Sequence, residues 1–180
     1  MEKSILKITV CICALVFFIN CSKDDDDQDN NDGGVSSDTF LRAKIDGVDF
    51  ERQDDFLLAV TTNVGGIRST IMGAANEDES MGITFGLSNV NSIGTYAMLS
   101  GLEDEEELLT SSYVSSIIYF EGDTGWFATN FAGRTSATVT ITEFDGDYII
   151  GTFSFIGFDI QSQTEKNITN GEFKFKKLNV

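Results

Sequence analysis

Ala137-Thr138-Val139-Thr140-Ile141-Thr142-Glu143-Phe144-Asp145-Gly146-Asp147-Tyr148-Ile149-Ile150-Gly151-Thr152-Phe153-Ser154-Phe155 decides the fold. Ala137, Val139 and Ile141 alternate with Thr138, Thr140 and Thr142. Beyond the turn, Ile149, Gly151, Phe153 and Phe155 share one face, with Thr152 and Ser154 opposite. A period of two is that of a strand with one side buried and one side wet. Asp145-Gly146 is a hairpin turn signal, because glycine and aspartate tolerate the backbone conformations that tight turns need. The stretch therefore predicts a long antiparallel hairpin with one apolar face. Gly151, in the middle of its second strand, predicts a bulge or the close approach of a neighbouring aromatic ring.

The same texture extends outward. Downstream, residues 161–169 read as a polar loop. Asn170-Gly171 then leads into Glu172-Phe173-Lys174-Phe175-Lys176, with the two rings inward and the lysines outward, as suits an exposed edge strand. Upstream, Phe40-Leu41-Arg42-Ala43-Lys44-Ile45 alternates, Asp46-Gly47 turns, and Val48-Asp49-Phe50 returns. Further strands are expected over residues 56–62, 67–75, 81–87, 93–96 and 113–121, with turns at Gly65-Gly66, Asn76-Glu77-Asp78-Glu79 and Gly122-Asp123-Thr124-Gly125. The fold class is all-β: an antiparallel β-sandwich, with a lipocalin-like barrel as the alternative, formed by a single domain over residues 39–180. Fifteen phenylalanines in the chain predict an aromatic-rich core.

The N-terminal region has another character. Residues 1–20 have the layout of a secretory signal, with Lys3 and Lys7 ahead of an apolar run over 8–19. That run is too short for a membrane-spanning helix, which needs about 20 residues. Cys21 follows it at once. Here the chain resembles bacterial lipoproteins, in which such a cysteine is lipidated and becomes the new N-terminus; Asn20 departs from the small residue usual before it. The resemblance implies a signal peptide over 1–20, a lipid on Cys21 and membrane attachment through that lipid. Ser22, Lys23, Asp24, Asp25, Asp26 and Asp27 resemble the export signal of surface lipoproteins of Bacteroidota. This implies an outer-membrane protein facing the cell exterior, with the periplasmic face as the alternative. Residues 21–38, rich in Asp, Asn, Gly and Ser, read as a disordered tether.

Phe40-Leu41-Arg42-Ala43-Lys44-Ile45-Asp46-Gly47, Gly94-Thr95-Tyr96, Val139-Thr140-Ile141-Thr142-Glu143-Phe144-Asp145, Gly151-Thr152-Phe153-Ser154-Phe155 and Ile168-Thr169-Asn170-Gly171-Glu172-Phe173 together resemble a family of uncharacterised Bacteroidota lipoproteins. The resemblance implies an all-β, sandwich-like domain on a lipid anchor. It supplies no reaction and no catalytic residues.

Much chemistry is excluded. The chain has no histidine, which removes histidine-based catalysis, metal sites and pH switching. Cys11 and Cys13 lie in the signal, so a processed chain keeps only Cys21 and can form no internal disulfide. A net charge of −17 repels nucleic acid. No cofactor and no metal site is expected. Asp27, Asp29, Asn31 and Asp38 fall near calcium-loop positions, but Asp32 stands where such a loop needs glycine. Glu103-Asp104-Glu105-Glu106-Glu107 reads as a solvated loop or one helical turn, with a cation site as the alternative. Trp126, the only tryptophan, is the candidate ligand-binding residue if it sits exposed at a loop edge; a core position is the commoner case. Three classes remain: a non-catalytic module binding a glycan or protein, a carrier of an apolar ligand inside the sheet, and a glycoside hydrolase using paired carboxylates such as Glu143 and Glu172. The first is the expectation, so no enzyme activity is expected.

Overall fold

The computed structural model describes residues 38–54, 57–98, 105–128, 137–144 and 146–179, all within the unit Val35–Val180. Eleven strands and one short helix follow in order: β1 (Phe40–Ile45), β2 (Val48–Gln53), β3 (Leu58–Val64), β4 (Ile67–Ala75), β5 (Met81–Ser88), β6 (Gly94–Ala97), α1 (Glu105–Thr110), β7 (Tyr113–Glu121), β8 (Thr124–Phe127), β9 (Ala137–Glu143), β10 (Tyr148–Asp159) and β11 (Thr164–Asn179). The domain is all-β and sandwich-like. A single hydrogen-bonded sheet, ordered β2-β1-β11-β3-β4-β5-β7-β8-β10-β9-β6, folds over so that β10 also pairs with β11.

One layer contains β6, β9, β10, β11, β1 and β2; the other contains β3, β4, β5, β7 and β8. Their inner faces meet on aromatic rings. Phe85 of β5 lies 5.3 Å from Phe153, 5.2 Å from Phe173 and 6.0 Å from Phe175, centroid to centroid. Tilted and edge-on pairs at these distances add about 0.5–1.5 kcal/mol each beyond the area they bury. Leu41, Met72, Ile83, Leu87, Ile117, Ile141 and Ile149 fill in around them and are almost wholly buried. The space between the layers is therefore occupied by side chains.

The deciding hairpin forms as its alternation requires. Val139 pairs with Phe153, and Thr140 with Thr152. Both expectations for Gly151 are met. The register with β9 shifts beside it, and a Cβ built there would fall 2.7 Å from the Phe173 ring and 2.2 Å from the Thr140 carbonyl. The relation is reciprocal: Phe153 lies over Gly171 just as Phe173 lies over Gly151, and each ring and glycine are cross-strand partners. Removing one Cβ from each pair lets a ring lie flat on the neighbouring backbone.

Three expectations change. The expected loop at 161–169 is mostly strand, because β11 begins at Thr164 and pairs with β10 from Asp159↔Thr164 to Tyr148↔Lys176. Asn170-Gly171 therefore does not lead into a strand but lies inside β11, at an irregularity of its pairing. Strand β11 is not an edge: β10 lines one side, while β1 and then β3 line the other. Its pairing with β3 is parallel, the one departure from the antiparallel pattern among the described strands.

Candidate functional site

Paired residues of neighbouring strands point to the same face. One polar row can therefore be followed across the outer face of the first layer. Thr95 pairs with Thr140, Thr140 with Thr152, Thr152 with Glu172, Glu172 with Arg42, and Arg42 with Glu51. The Thr95 and Thr140 hydroxyls are 3.0 Å apart. Arg42 donates from Nε and Nη2 to Glu172 Oε2 at 3.0 and 2.5 Å, and its guanidinium lies 5.0 Å from the Phe40 ring centroid. The hydrogen bond to Glu172 holds the Arg42 pKa above its ordinary value.

A bulge borders the row. Between Gly171 and Ile168 the β11 register shifts against β10, and it shifts against β1 between Arg42 and Lys44. Asn170 adopts a positive φ of 52°, a left-handed conformation that asparagine tolerates better than most residues. Bulges re-aim side chains and gather near functional sites. Here the bulge borders an open depression of about 470 Å³ lined by Thr138, Thr140, Thr152, Ser154, Asn170 and Glu172, with Phe153 and Gly171 contributing to its lining. The side chains of Thr138, Thr152, Ser154 and Asn170 make no hydrogen bond among the described residues, so their donors and acceptors face solvent. Glu172 is neutralised by Arg42. The depression thus offers hydroxyls and an amide with little net charge.

Trp126 lies elsewhere. Register Tyr119↔Trp126 turns the indole inward, where it is 7 % exposed. It stacks on Tyr119 at 5.4 Å and donates from Nε1 to Thr164 Oγ1 at 3.0 Å. Its ring is thus committed to the core, and the exposed loop-edge position needed for sugar stacking does not arise. Its neighbour Phe127 takes the outward place and is 45 % exposed. The strand begins at Thr124, two residues earlier than the Gly-rich turn suggests, and that sets the parity. Burial, with Glu121 nearby, pushes the Tyr119 phenol up.

Cys21, Ser22, Lys23, Asp24, Asp25, Asp26 and Asp27 lie outside the described residues, as do Asp29, Asn31, Glu103 and Asp104. Asp38, assigned above to the tether, belongs to the folded domain. Its carboxylate accepts from Lys174 Nζ at 2.6 Å and from the Tyr148 hydroxyl, and these bonds, Lys174 first, hold its pKa below the usual value. Glu106 and Glu107 are exposed on α1. That helix ends against Asn89, whose Nδ2 donates to the Leu109 and Ser111 carbonyls at 3.0 and 3.1 Å. Glu143 is exposed at the end of β9, and Glu172 is held in its ion pair. No helix among the described residues is long and apolar enough to cross a membrane.

The sequence missed Asn170 as a surface feature because Asn-Gly is a turn signal. The signal that could have found it is the continuation of Ile168 and Phe173 on the buried face, which needs an extra residue between them. No known protein family, no curated protein and no solved structure matches the chain.

Proposed function

We propose that this chain is a lipid-anchored, non-catalytic binding module of the bacterial outer-membrane surface, and that the outer face of β9, β10 and β11 is where it binds a neutral glycan. The anchor half of the reading rests on Cys21 and the acidic run behind it, together with the resemblance to Bacteroidota lipoproteins. The binding half rests on one observation: a depression bordered by a bulge in an interior strand, where the hydroxyls of Thr138, Thr152 and Ser154 and the Asn170 amide are bonded to no described neighbour. Such groups match the alternating donors and acceptors of a sugar, and the Arg42–Glu172 pair leaves no excess charge for a polyion. The aromatic packing between the layers speaks against the carrier reading, and the commitment of Glu172 to Arg42 speaks against a paired-carboxylate hydrolase.

The binding half is tested by screening the full chain in detergent micelles against neutral and acidic glycans. Thr152→Arg places a bulky cation in the depression while leaving the buried face alone. Binding of a neutral glycan that this variant loses is the expected result. Absence of binding across the panel, or equal binding by the variant, refutes the site. The anchor half is tested by Cys21→Ala, which should move the protein out of the membrane fraction; retention there refutes it.

A further inference from the structure

The chain carries far more acids than bases, and most described cations have found a carboxylate. Arg42, Lys44, Arg52, Lys166 and Lys174 each form an ion pair. Arg68, Lys176 and Lys177 pair with no carboxylate among the described residues; Lys176 faces outward, whereas Arg68 and Lys177 point inward. Arg68 precedes Thr70, Met72 and Ala74 on the buried face of β4. Lys177 pairs with Ala59, which is fully buried. Both are half-buried, at the end of the sandwich that Phe144 closes. The Arg68 guanidinium carbon lies 5.9 Å from the Phe144 ring centroid, and Lys177 Nζ lies 5.0 Å from the same centroid.

Local bonds hold the two residues in place. Asn89 grips the Arg68 backbone, donating to its carbonyl at 2.7 Å and accepting from its N–H at 3.1 Å. The Lys177 N–H donates to the Asp147 carbonyl at 2.7 Å, and Nζ donates to the Phe144 carbonyl at 2.7 Å. Arg68 Nε, by contrast, is shut away from solvent and has no hydrogen-bond partner. The nearby Thr61 and Thr70 hydroxyls are spent on each other, 2.9 Å apart. A buried guanidinium N–H without an acceptor is costly, and a second cation against the same ring adds repulsion. An anionic oxygen bound at the guanidinium would supply the missing acceptor and offset the repulsion.

We propose that Arg68 and Lys177, set around Phe144, bind the oxyanion of a small molecule, a phosphate or a carboxylate group. The guanidinium supplies a planar fork suited to two oxygens, and the lysine supplies a point charge. The ring gives an apolar wall beside them. The strongly negative chain disfavours extended polyanions such as nucleic acid, and a compact anion meets less of that charge. This site is separate from the depression on the first layer, and its test does not depend on that reading.

The test is thermal unfolding of the full chain in detergent micelles, titrated with sodium phosphate or with sodium acetate against sodium chloride at constant ionic strength. A saturable rise in Tm with phosphate, acetate or both, beyond that with chloride, is expected, since a ligand that binds only the folded state raises its stability. Which salt acts tells phosphate from carboxylate. The double variant Arg68→Gln, Lys177→Gln should lose the rise. Lys176→Gln, on the same strand but facing outward, should keep it. Arg68→Lys preserves the charge and removes the fork; it should stay folded and need at least about tenfold more anion for half the rise. The proposal is overturned if neither salt exceeds chloride, if the folded Arg68→Lys chain responds as wild type, or if Lys176→Gln abolishes the rise as fully as the double variant.

Discussion

The two layers use glycine in opposite ways. In the first, Gly151 and Gly171 face the core and let Phe173 and Phe153 lie against the backbone. In the second, Gly82 and Gly125 face outward, beneath Phe120 and Phe127. The inward pairs are locked between strands and cannot yield, while Phe127 is half exposed and can swing aside. The difference teaches that glycine within this sheet has a role set by which face it occupies, and that the aromatic core is built by removing Cβ atoms as much as by adding rings.

The largest effect should come from the ring that joins the layers. Phe85→Ala leaves a cavity against Phe153, Phe173 and Phe175 and should destabilise the domain by about 3–5 kcal/mol, read from urea unfolding. A loss below about 1 kcal/mol would mean that the layers do not depend on this contact.

The glycines come next. Gly151→Ala drives a methyl into the Thr140 carbonyl and the Phe173 ring and should cost about 1–3 kcal/mol. Gly125→Ala meets the Phe127 ring at 3.1 Å and, in ordinary contact, Ile118 at 4.0 Å, and should cost under about 1 kcal/mol. Equal costs would abolish the contrast between inward and outward glycines.

A smaller effect separates the turn at β1–β2 from the core. The Asp46 carboxylate accepts from the Asn167 N–H at 2.9 Å, and Lys166 lies 3.2 Å away. The backbone bond, chiefly, lowers the Asp46 pKa below its ordinary 3.8. A lowered folded-state pKa means that its contribution is fully present above pH 3.8 and is lost as pH falls further. The group is mostly exposed, so the contribution should stay below about 1 kcal/mol. Asp46→Asn should flatten that part of the acid unfolding curve, and an unchanged curve would mean that the bond from Asn167 adds nothing to stability. The least change is expected on the outer face: Thr152→Val should alter stability by no more than about 0.5 kcal/mol. A larger loss would show that the polar row carries the fold.

Period-two alternation made β1, β5, β9 and β10 legible, because each has one buried face and short polar turns. Strand β11 was only half legible. Residues 164–170 are polar apart from Ile168, and their extended form comes from pairing with β10, which a local pattern does not encode. For Trp126 the residue was visible but its side was not, since one register step decides whether 126 or 127 faces the core. The polar depression was illegible as a unit, because its lining comes from three strands brought together by that same register. Arg68 and Lys177 were equally hidden, since nothing near them in sequence marks their lack of a carboxylate.

Strand β11 also sets a clock. It is the last described strand in chain order, yet it pairs with β1 and, at its far end, with β3 of the other layer. The first layer cannot close until residues more than a hundred positions apart meet, as Arg42 and Glu172 do. Such distant pairing is slow to form. In the lipid-anchored reading proposed here, the first layer is completed only once this last strand has arrived.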